Sequence, residues 1–525
     1  MSTPIAQIDG RRLDLLVVGG GISGCAVARE AAREGLRVGL IERRDFGSGT
    51  SGRSSRLIHG GLRYLAAGRL SLVRRALHER WVLHQSLPHL VRPLPFILPL
   101  EPSASWRWRA LATAGLAIYD RLARPPGAWP SSRSIPPEQA AALLPPETRF
   151  ETGTRFLLYH DAVTDDRRLT LLVALAARSH GAWLGPRCEL FGIEPEGPGS
   201  ARATVRDTLT GEIARCSVRA LVNATGPDVD RFRQKVGLPG TRPLVRPTRG
   251  AHLVVPAAAG AALIDQHPGD HRVVLAVPQA ETLLLGTTDD DDRRPASRVQ
   301  PTAGDIRYLE QMLEHRFPGL EPRTAFASLR PLVEGAGHPD RLSRGHKVFR
   351  EKVAGIPCLT VAGGKLTTHR RVGRSVARAA AQVLGHGRLR AEPGQELERS
   401  GGENPQSLEA SVVAAGHSPE QARWWVGLYG ARWQRVLATG AAQPLTARGY
   451  PFEAEITWAL QHEALRTLSD LLFRWRLPEW DPDAERTARR TLAVMTRIAG
   501  WSPVRSEREW KRWRTESRGI YALPG

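Results

Sequence analysis

No run of eighteen or more apolar residues occurs in this 525-residue chain, so no transmembrane helix is expected. Cysteine is scarce. Four residues, Cys25, Cys188, Cys216 and Cys358, lie far apart with no CxxC pair, which argues against a zinc site or a dithiol redox motif and suits a reducing compartment. Lysine is nearly absent: five of the 74 basic residues are lysine and the rest arginine. Such a skew is compatible with codon bias. The net charge of +21 is also compatible with an anionic membrane surface, an anionic substrate or nucleic acid. The basic residues are dispersed, without a run of five, which speaks against nucleic acid as a partner. Internal repeats and low-complexity tracts are lacking too. With 41% hydrophobic and 24% charged residues over this length, two or three globular domains are expected. Arg11-Arg12 followed by LDLLVV has the look of a twin-arginine export signal, but the apolar stretch runs straight into a glycine motif and is better read as a strand.

That motif is Gly19-Gly20-Gly21-Ile22-Ser23-Gly24, a G-x-G-x-x-G after the short apolar run DLLVV. Gly19 permits a tight turn, Gly21 lets backbone approach a pyrophosphate, and Gly24 lets the next helix sit close to the strand. The helix N-terminus then offers unpaired N–H groups to phosphates. The context agrees. Ala28 and Ala31 fall on the inward helix face, Gly35 ends the helix, Val38, Leu40 and Ile41 make a second strand, and Glu42 stands where a carboxylate accepts hydrogen bonds from a ribose. The unit alone leaves NAD or FAD open. Its place at the extreme N-terminus, ahead of a large second region, favours FAD as a resident cofactor.

Further along, 47–56 (GSGTSGRSSR) reads as a small polar loop able to wrap a phosphate or a flavin edge. Residues 69–84 read as a helix with Leu70, Val73, Leu77 and Trp81 on one face. The stretch 106–121, WRWRALATAGLAIYDR, mixes basic and aromatic residues with an apolar stripe and suits either a membrane surface or a core-facing helix. Seven prolines mark 124–146 as a connecting loop. A Leu/Ala-rich helix is expected at 165–180, and a strand at 218–223 ends in Ala224-Thr225-Gly226-Pro227, a second backbone approach to the cofactor. Residues 251–255, 273–277 and 282–286 are β-like. Another buried strand, 358–362, leads through Gly363-Gly364-Lys365-Leu366-Thr367-Thr368 into a helix from about 369 to 384. The polar stretch 385–407 marks a domain boundary, and the periodicity is helical from about 408. Nine of the fourteen tryptophans lie beyond that point, enough for a small core of its own.

The ordered landmarks GGGISG, TSGRSSRLIHGGLRYL, YHDAVTDDRRL (159–169), LVNATGP, RGAHLVV (249–255), GTTD, LRPL (329–332) and GGKLTTHR (363–370) resemble the FAD-dependent, respiratory-type glycerol-3-phosphate dehydrogenases. The resemblance spans about 12–385 and continues around Tyr429-Gly430 and 452–476. It implies an α/β fold with a Rossmann-type FAD-binding domain interleaved with a mixed-sheet substrate domain, like glutathione reductase and D-amino-acid oxidase, plus a C-terminal α-helical domain. FAD segments are expected at about 12–80, 150–235 and 345–390, substrate segments at about 81–149 and 236–344, and the helical domain at 400–525. The implied reaction is oxidation of sn-glycerol 3-phosphate to dihydroxyacetone phosphate by hydride transfer to flavin. Electrons would pass to a quinone, with the protein peripheral on the inner face of the cytoplasmic membrane; a homodimer is compatible with this. A related branch uses oxygen, but its oxidases carry a sizeable core insertion for which the spacing here leaves no room.

Oxidising a secondary alcohol with a flavin needs a base for the hydroxyl proton and cations for the phosphate and any oxyanion. The resemblance places His252 at the substrate and His59 beside the flavin. It makes Arg63 and Tyr64 phosphate ligands, and Arg330 a substrate-orienting cation. Lys365 is notable in so lysine-poor a chain, between a double glycine and a threonine pair, and Thr367 can hydrogen-bond substrate or cofactor. The catalytic set is thus His252, Arg330, Lys365 and His59. The cofactor is expected to touch Gly19, Gly21, Ile22, Ser23 and Gly24; Glu42 and Arg43; Thr50, Ser51, Ser54 and Ser55; His59, Gly60 and Gly61; Ala224, Thr225 and Gly226; and Gly364, Lys365, Leu366 and Thr367. No metal site is expected. Three positions depart from the family pattern: Arg56 replaces a lysine, Asp228 a tryptophan and His369 a tyrosine. The last two leave room for another phosphorylated polyol or a hydroxy acid as substrate. An inactive flavin-binding protein is the further alternative, against which the retained His252, Arg330 and Lys365 speak.

Overall fold

The structure is a computed structural model describing residues 4–62, 65, 68–123, 129–238, 242–335, 345–386 and 404–522. Its first layer grows from the N-terminal apolar run. Arg12–Val18 forms a strand buried from Leu13 onward, paired in parallel with Val38–Glu42 on one side and Ile213–Asn223 on the other. The sheet continues through Trp183–Pro186 at one edge, and through Ile356–Gly363 to an antiparallel His346–Val353 at the other. Strands covered on both faces need unbroken apolar sequence, which is what Leu15, Leu16 and Val17 supply. Three helices, Ile22–Arg33, Asp166–Ser179 and His369–Val383, pack over one face with Ala26, Ala28, Ala174, Ala177, Ala377 and Ala380 buried. Gly373 permits the close approach: a Cβ there would stand 2.6 Å from the backbone oxygen of Ala26.

A second, larger sheet carries the middle of the chain. Its order runs from Thr324–Val333 through Val245–Val255, Thr282–Gly286, Val273–Gln279, Ala262–Gln266 and Arg92–Leu100 to Arg155–Val163 and Leu57–Ile58. Two strands expected in the cofactor segments therefore belong to this sheet. Arg155–Val163 pairs along its whole length with Arg92–Leu100, and Leu57–Ile58 pairs with Val163 and Ala162. The boundary expected near 150 thus falls after Val163: the 155–163 run is buried on both faces, with Leu157, Tyr159 and Val163 in one core and Phe156 and Leu158 in another. The proline-rich 124–146 stretch is not all loop: Arg133–Ile135 is a short edge strand and Pro137–Leu143 a helix begun by proline at its first turn.

The Trp106–Leu122 helix buries only Leu116 and Tyr119, leaving Trp106 at 68% and Leu111 at 61% exposure. It is therefore a partly seated helix with an apolar outer face. The C-terminal helices make one small core of their own around Trp425, Trp433 and Trp458. A second group, from Ile456 to Trp513, shares a core with the second sheet. The chain then returns as a strand, Tyr521–Ala522, paired with Phe326 and Ala325. So the expectation of a self-contained C-terminal core holds for only part of it.

Candidate active site

The two sheets face each other across a cavity of about 1620 Å³. Its cofactor-shaped end is built by backbone. Gly19, at φ +110, turns directly under Ala224, whose oxygen would lie 2.5 Å from a Cβ on Gly19. A Cβ on Gly24 would meet the Gly19 oxygen at 1.9 Å, so the Ile22–Arg33 helix sits against the strand turn. That helix starts at Gly21 without a side-chain cap, and the Ser51 hydroxyl accepts the Ile22 N–H at 2.9 Å. The first turn is therefore aimed at the cavity with room for a phosphate, as a helix N-terminus that binds anions requires. Glu42, at the end of the second strand, accepts from the Gly20 N–H at 2.7 Å and the Arg44 N–H at 2.9 Å, which holds its carboxylate at the cavity edge. Glycines without room for side chains, an uncapped helix start and a terminal carboxylate together fit an FAD laid along this wall.

The 47–56 loop joins this end to the second sheet. Thr50 Oγ1 donates to the Leu329 carbonyl at 2.6 Å, Ser328 Oγ to the Arg53 carbonyl at 2.8 Å, and Arg53 Nη1 to the Ala327 carbonyl at 3.2 Å. Burial, with Arg167 and Arg44 nearby, holds the Arg53 guanidinium down to about 10.

The other end is assembled from separate strands. His252 lies mid-strand, opposite Gly286 on one neighbour and Phe326 on the other. A side chain at 286 would collide with the imidazole, since a Cβ there would stand 2.4 Å from His252 Cδ2. The ring is stacked on Phe326 with centroids 5.2 Å apart, and Ser55 Oγ and His252 Nε2 share a 2.9 Å hydrogen bond. Burial, then the cations of Arg330 and Arg56, push the His252 pKa down to about 3. The ring is therefore neutral at neutral pH.

Arg330 crosses over Gly250, whose missing side chain makes the space. Its fork is held by Asp289 at 2.7 Å, Thr287 Oγ1 at 2.7 Å and the Thr288 carbonyl at 3.0 Å. Sequence reasoning named the GTTD segment without seeing that Thr287 and Asp289 orient this arginine; a carboxylate just beyond a strand end was the available signal.

On the facing wall, Gly363 and Gly364 take φ of +78 and +104 and turn the chain so that Lys365, Leu366 and Thr367 line the cavity. Thr367 Oγ1 accepts the His59 N–H at 3.3 Å, joining two of the expected segments.

Of the expected residues, Gly19, Gly21, Ile22, Ser23, Glu42, Arg43, Thr50, Ser51, Ser54, Ser55, His59, Gly61, Ala224, Thr225, Gly226, His252, Arg330, Gly364, Lys365, Leu366 and Thr367 all line this one cavity. Two expected cofactor contacts lie behind the wall instead. Gly24 is a packing glycine, and Gly60 is buried against Leu77 and Tyr119. The Gly60 N–H donates to Tyr119 Oη at 2.9 Å and to Asp161 at 3.3 Å. Asp161 is itself held by Arg80 at 2.5 Å and by the Tyr119 hydroxyl at 2.7 Å, so a buried triad unread in the sequence shapes the His59–Gly61 turn. Arg63 and Tyr64 lie outside the described residues.

The three departures now have places. Asp228 pairs with Arg43 at 2.8 Å and accepts the Ala296 N–H at 3.1 Å, at the cofactor rim. His369 is buried behind the wall, its Nδ1 on the Leu366 carbonyl at 2.7 Å, and burial pushes its pKa down to about 3. Arg56 is buried with its guanidinium on Glu479.

Comparison with known proteins agrees with this geometry. Residues 14–379 match the family described as FAD dependent oxidoreductase, and 394–506 match the C-terminal domain of alpha-glycerophosphate oxidase. The chain is 32% identical to glycerol-3-phosphate dehydrogenase 2 of Mycobacterium tuberculosis over 96% of its own length and 88% of that protein's. It is 33% identical to D-erythritol 1-phosphate dehydrogenase of Brucella abortus over 88% and 93%. In fold it is similar to the glycerol-3-phosphate dehydrogenase from Bacillus halodurans solved with FAD, with a TM-score of 0.76, 23% identity and coverage of 98% and 97%. The chain therefore belongs to the FAD-dependent oxidoreductases and carries behind that module the C-terminal domain of the alpha-glycerophosphate oxidases.

Proposed function

We propose that the protein oxidises sn-glycerol 3-phosphate to dihydroxyacetone phosphate with FAD as its resident cofactor, and passes the electrons to a quinone. The observation that carries the reading is the convergence on one cavity of a neutral buried histidine, a fixed arginine fork and a dinucleotide cradle. FAD, when bound, supplies the hydride acceptor. His252 takes the hydroxyl proton at Nε2, the ring nitrogen that Ser55 marks as reachable by a hydroxyl. Arg330 steadies the oxygen as it loses that proton, and its rigid seat on Asp289 and Thr287 removes the need to reorganise. Lys365 and Thr367 hold the substrate against the cofactor wall, and Arg63 and Tyr64 bind its phosphate. The negative charge of the substrate offsets the cations that depress His252 and favours its protonated form during turnover.

The cavity lining also includes Phe96, Leu98 and Leu275, and Trp108, Leu111 and Ile118 of the Trp106–Leu122 helix. That helix exposes Trp106, Leu111 and Ile118. Apolar cavity lining on a helix that also exposes apolar side chains, in a chain of net charge +21, supports a quinone acceptor and peripheral seating on the inner face of the cytoplasmic membrane. Among the described residues no helix is long and apolar enough to cross a membrane.

Anaerobic addition of glycerol 3-phosphate to the flavin-loaded protein should bleach the flavin, and a short-chain quinone should restore its colour. A flavin that stays yellow with glycerol 3-phosphate but bleaches with erythritol 1-phosphate would establish the second reading, a longer phosphorylated polyol. His267, His271 and Arg272 in the cavity lining favour that alternative. Colour retained with both would sink the reading of the site as an alcohol oxidant.

A further inference from the structure

Among the described residues, the His252 ring has one hydrogen-bond partner, Ser55; its Nδ1 is buried without any. Where Ser55 puts its hydroxyl therefore decides how the imidazole is aimed. Ser55 stands between two residues that are both tied down. Ser54 donates from its N–H and its Oγ to Asp166, at 2.9 and 2.6 Å. Arg56 takes a left-handed φ of 59, a backbone conformation that is unfavourable for a non-glycine residue, and its buried guanidinium pairs with Glu479.

Both ties lead to the C-terminal helical region. Asp166 pairs with Arg476, which also holds Asp165 at 3.1 Å and donates to the Gly52 carbonyl at 3.3 Å. Glu479 accepts the Tyr521 hydroxyl at 2.9 Å, and Tyr521 packs edge-on against Phe326, the ring on which His252 is stacked. Burial pushes the Glu479 carboxyl up, but Arg56 and Arg476 outweigh it and keep the group ionised. Other ion pairs between the regions, such as Arg466 with Asp207 at 2.9 Å and Arg474 with Asp45 at 2.7 Å, attach elsewhere.

We propose that the C-terminal helical region is a positioning part of the catalytic site: Glu479, Arg476 and Tyr521 fix the Ser54–Ser55–Arg56 segment so that the Ser55 hydroxyl keeps Nε2 of His252 turned into the cavity until the substrate hydroxyl takes its place there. This rests on the reading of His252 as the base. Ser55 and Glu479 are then positioning residues. The charges facing the imidazole are Arg330 with its partner Asp289 on one side and Arg56 with its partner Glu479 on the other. The Gly286 strand behind it contributes none at the contact. Removing the Glu479 charge leaves Arg56 uncompensated and makes His252 harder to protonate.

The test uses flavin-loaded Ser55→Ala, Glu479→Gln, Arg56→Lys and, as a docking control, Asp207→Asn. Ser55→Ala and Glu479→Gln should slow anaerobic flavin reduction roughly tenfold to a hundredfold per bound flavin, the scale of a misplaced catalytic group, with KM unchanged. Glu479→Gln should also move the acid limb of the rate profile to lower pH. Arg56→Lys, which keeps the charge, should stay close to the parent. Hydrogen exchange across 52–58 in flavin-free protein should quicken in Glu479→Gln and not in Asp207→Asn. Unchanged rate and pH profile in Ser55→Ala would overturn the proposal even if Glu479→Gln did not fold. So would a Glu479→Gln protein that melts earlier yet reduces its flavin at the parental rate. Were the parent itself not reduced by any phosphorylated polyol, the functional reading would fall, while the exchange at 52–58 would still decide whether the clamp exists.

Discussion

The two ends of the cavity are made in different ways. The cofactor end is built mainly on one short stretch, 19–51, closed over by Ala224, and works largely through backbone: a turn at Gly19 and a helix start at Gly21, with the Glu42 carboxylate beside them. The end proposed to take the substrate is gathered from five segments, with Ser55, His252, Thr287, Arg330 and Lys365 meeting only after both sheets have formed. Side chains do the work there: Ser55 and His252 hold one another, and Thr287 and Asp289 hold Arg330. A local, backbone-built end should fail all at once when one contact is blocked. A dispersed end should lose rate while keeping its ligand.

The sharpest way to break this contrast is Gly24→Val. Any Cβ at that position stands 1.9 Å from the Gly19 oxygen, backbone that has nowhere to go under Ala224. The expected outcome is a protein that binds no FAD after saturation and dialysis, read as flavin per chain. Full occupancy would show the turn to be adaptable and the contrast false. At the other end, His252→Gln should keep its flavin and lose about 10²–10⁴ in the rate of reduction by glycerol 3-phosphate, the usual worth of a positioned base. Because the histidine pKa is pushed down to about 3, and the base works when neutral, the parental kcat/KM should hold as pH falls well below 6.5. A parental acid limb at 6.5 would mean that a solvated histidine, not this one, carries the proton.

The same contrast explains what could be read from the sequence. The first strand, turn, helix and second strand were legible because their signal is periodic and local: LLVV, then glycines at fixed spacing, then small residues on one helix face. His252 and Arg330 stood out only through the order of motifs along the chain, since nothing within RGAHLVV itself says that a histidine will face a cavity; Lys365 stood out also because lysine is so scarce. Long-range partners left no local trace. The Asp161–Tyr119–Arg80 triad joins residues 42 and 81 apart, and the Arg56–Glu479 pair joins residues 423 apart. The segment boundary expected near 150 was misplaced for the same reason: Arg155–Val163 is buried almost throughout, and such a run does not say which sheet it joins.

His369 probes whether a departure from the family pattern inside a motif alters chemistry or only packing. The ring is buried, its Nδ1 satisfied by Leu366 and its Nε2 unpartnered, so the folded protein cannot accept the proton that the unfolded chain takes below about 6.5. A folded pKa of about 3 therefore removes stability progressively as pH falls from about 6.5 toward 3. His369→Tyr should leave the reduction rate unchanged and gain on the parent by about 2 kcal/mol at pH 5 relative to their difference at pH 8. Paired urea melts at the two pH values measure it. The paired design cancels His252 and His89, whose pKa values are also pushed down to about 3 by burial. Equal pH dependence in the two proteins would mean that the 369 pocket opens to water.

The smallest effect is expected at Asp228, and it bears on the contrast most directly because this departure lies at the cofactor rim and not at the substrate. The Arg43 side chain it holds is 48% exposed, so the 2.8 Å pair is screened and worth less than about 1 kcal/mol. Asp228→Asn keeps an acceptor for the Ala296 N–H and removes only the charge. FAD affinity measured by fluorescence quenching should weaken no more than about fivefold, and raising the salt should erase the difference. The ratio of rates with glycerol 3-phosphate and erythritol 1-phosphate should not move, because Asp228 pairs with the Arg43 that follows the cofactor strand and shares no partner with His252 or Arg330. A shifted ratio would mean that the rim transmits to the substrate end and that the two ends are not separable.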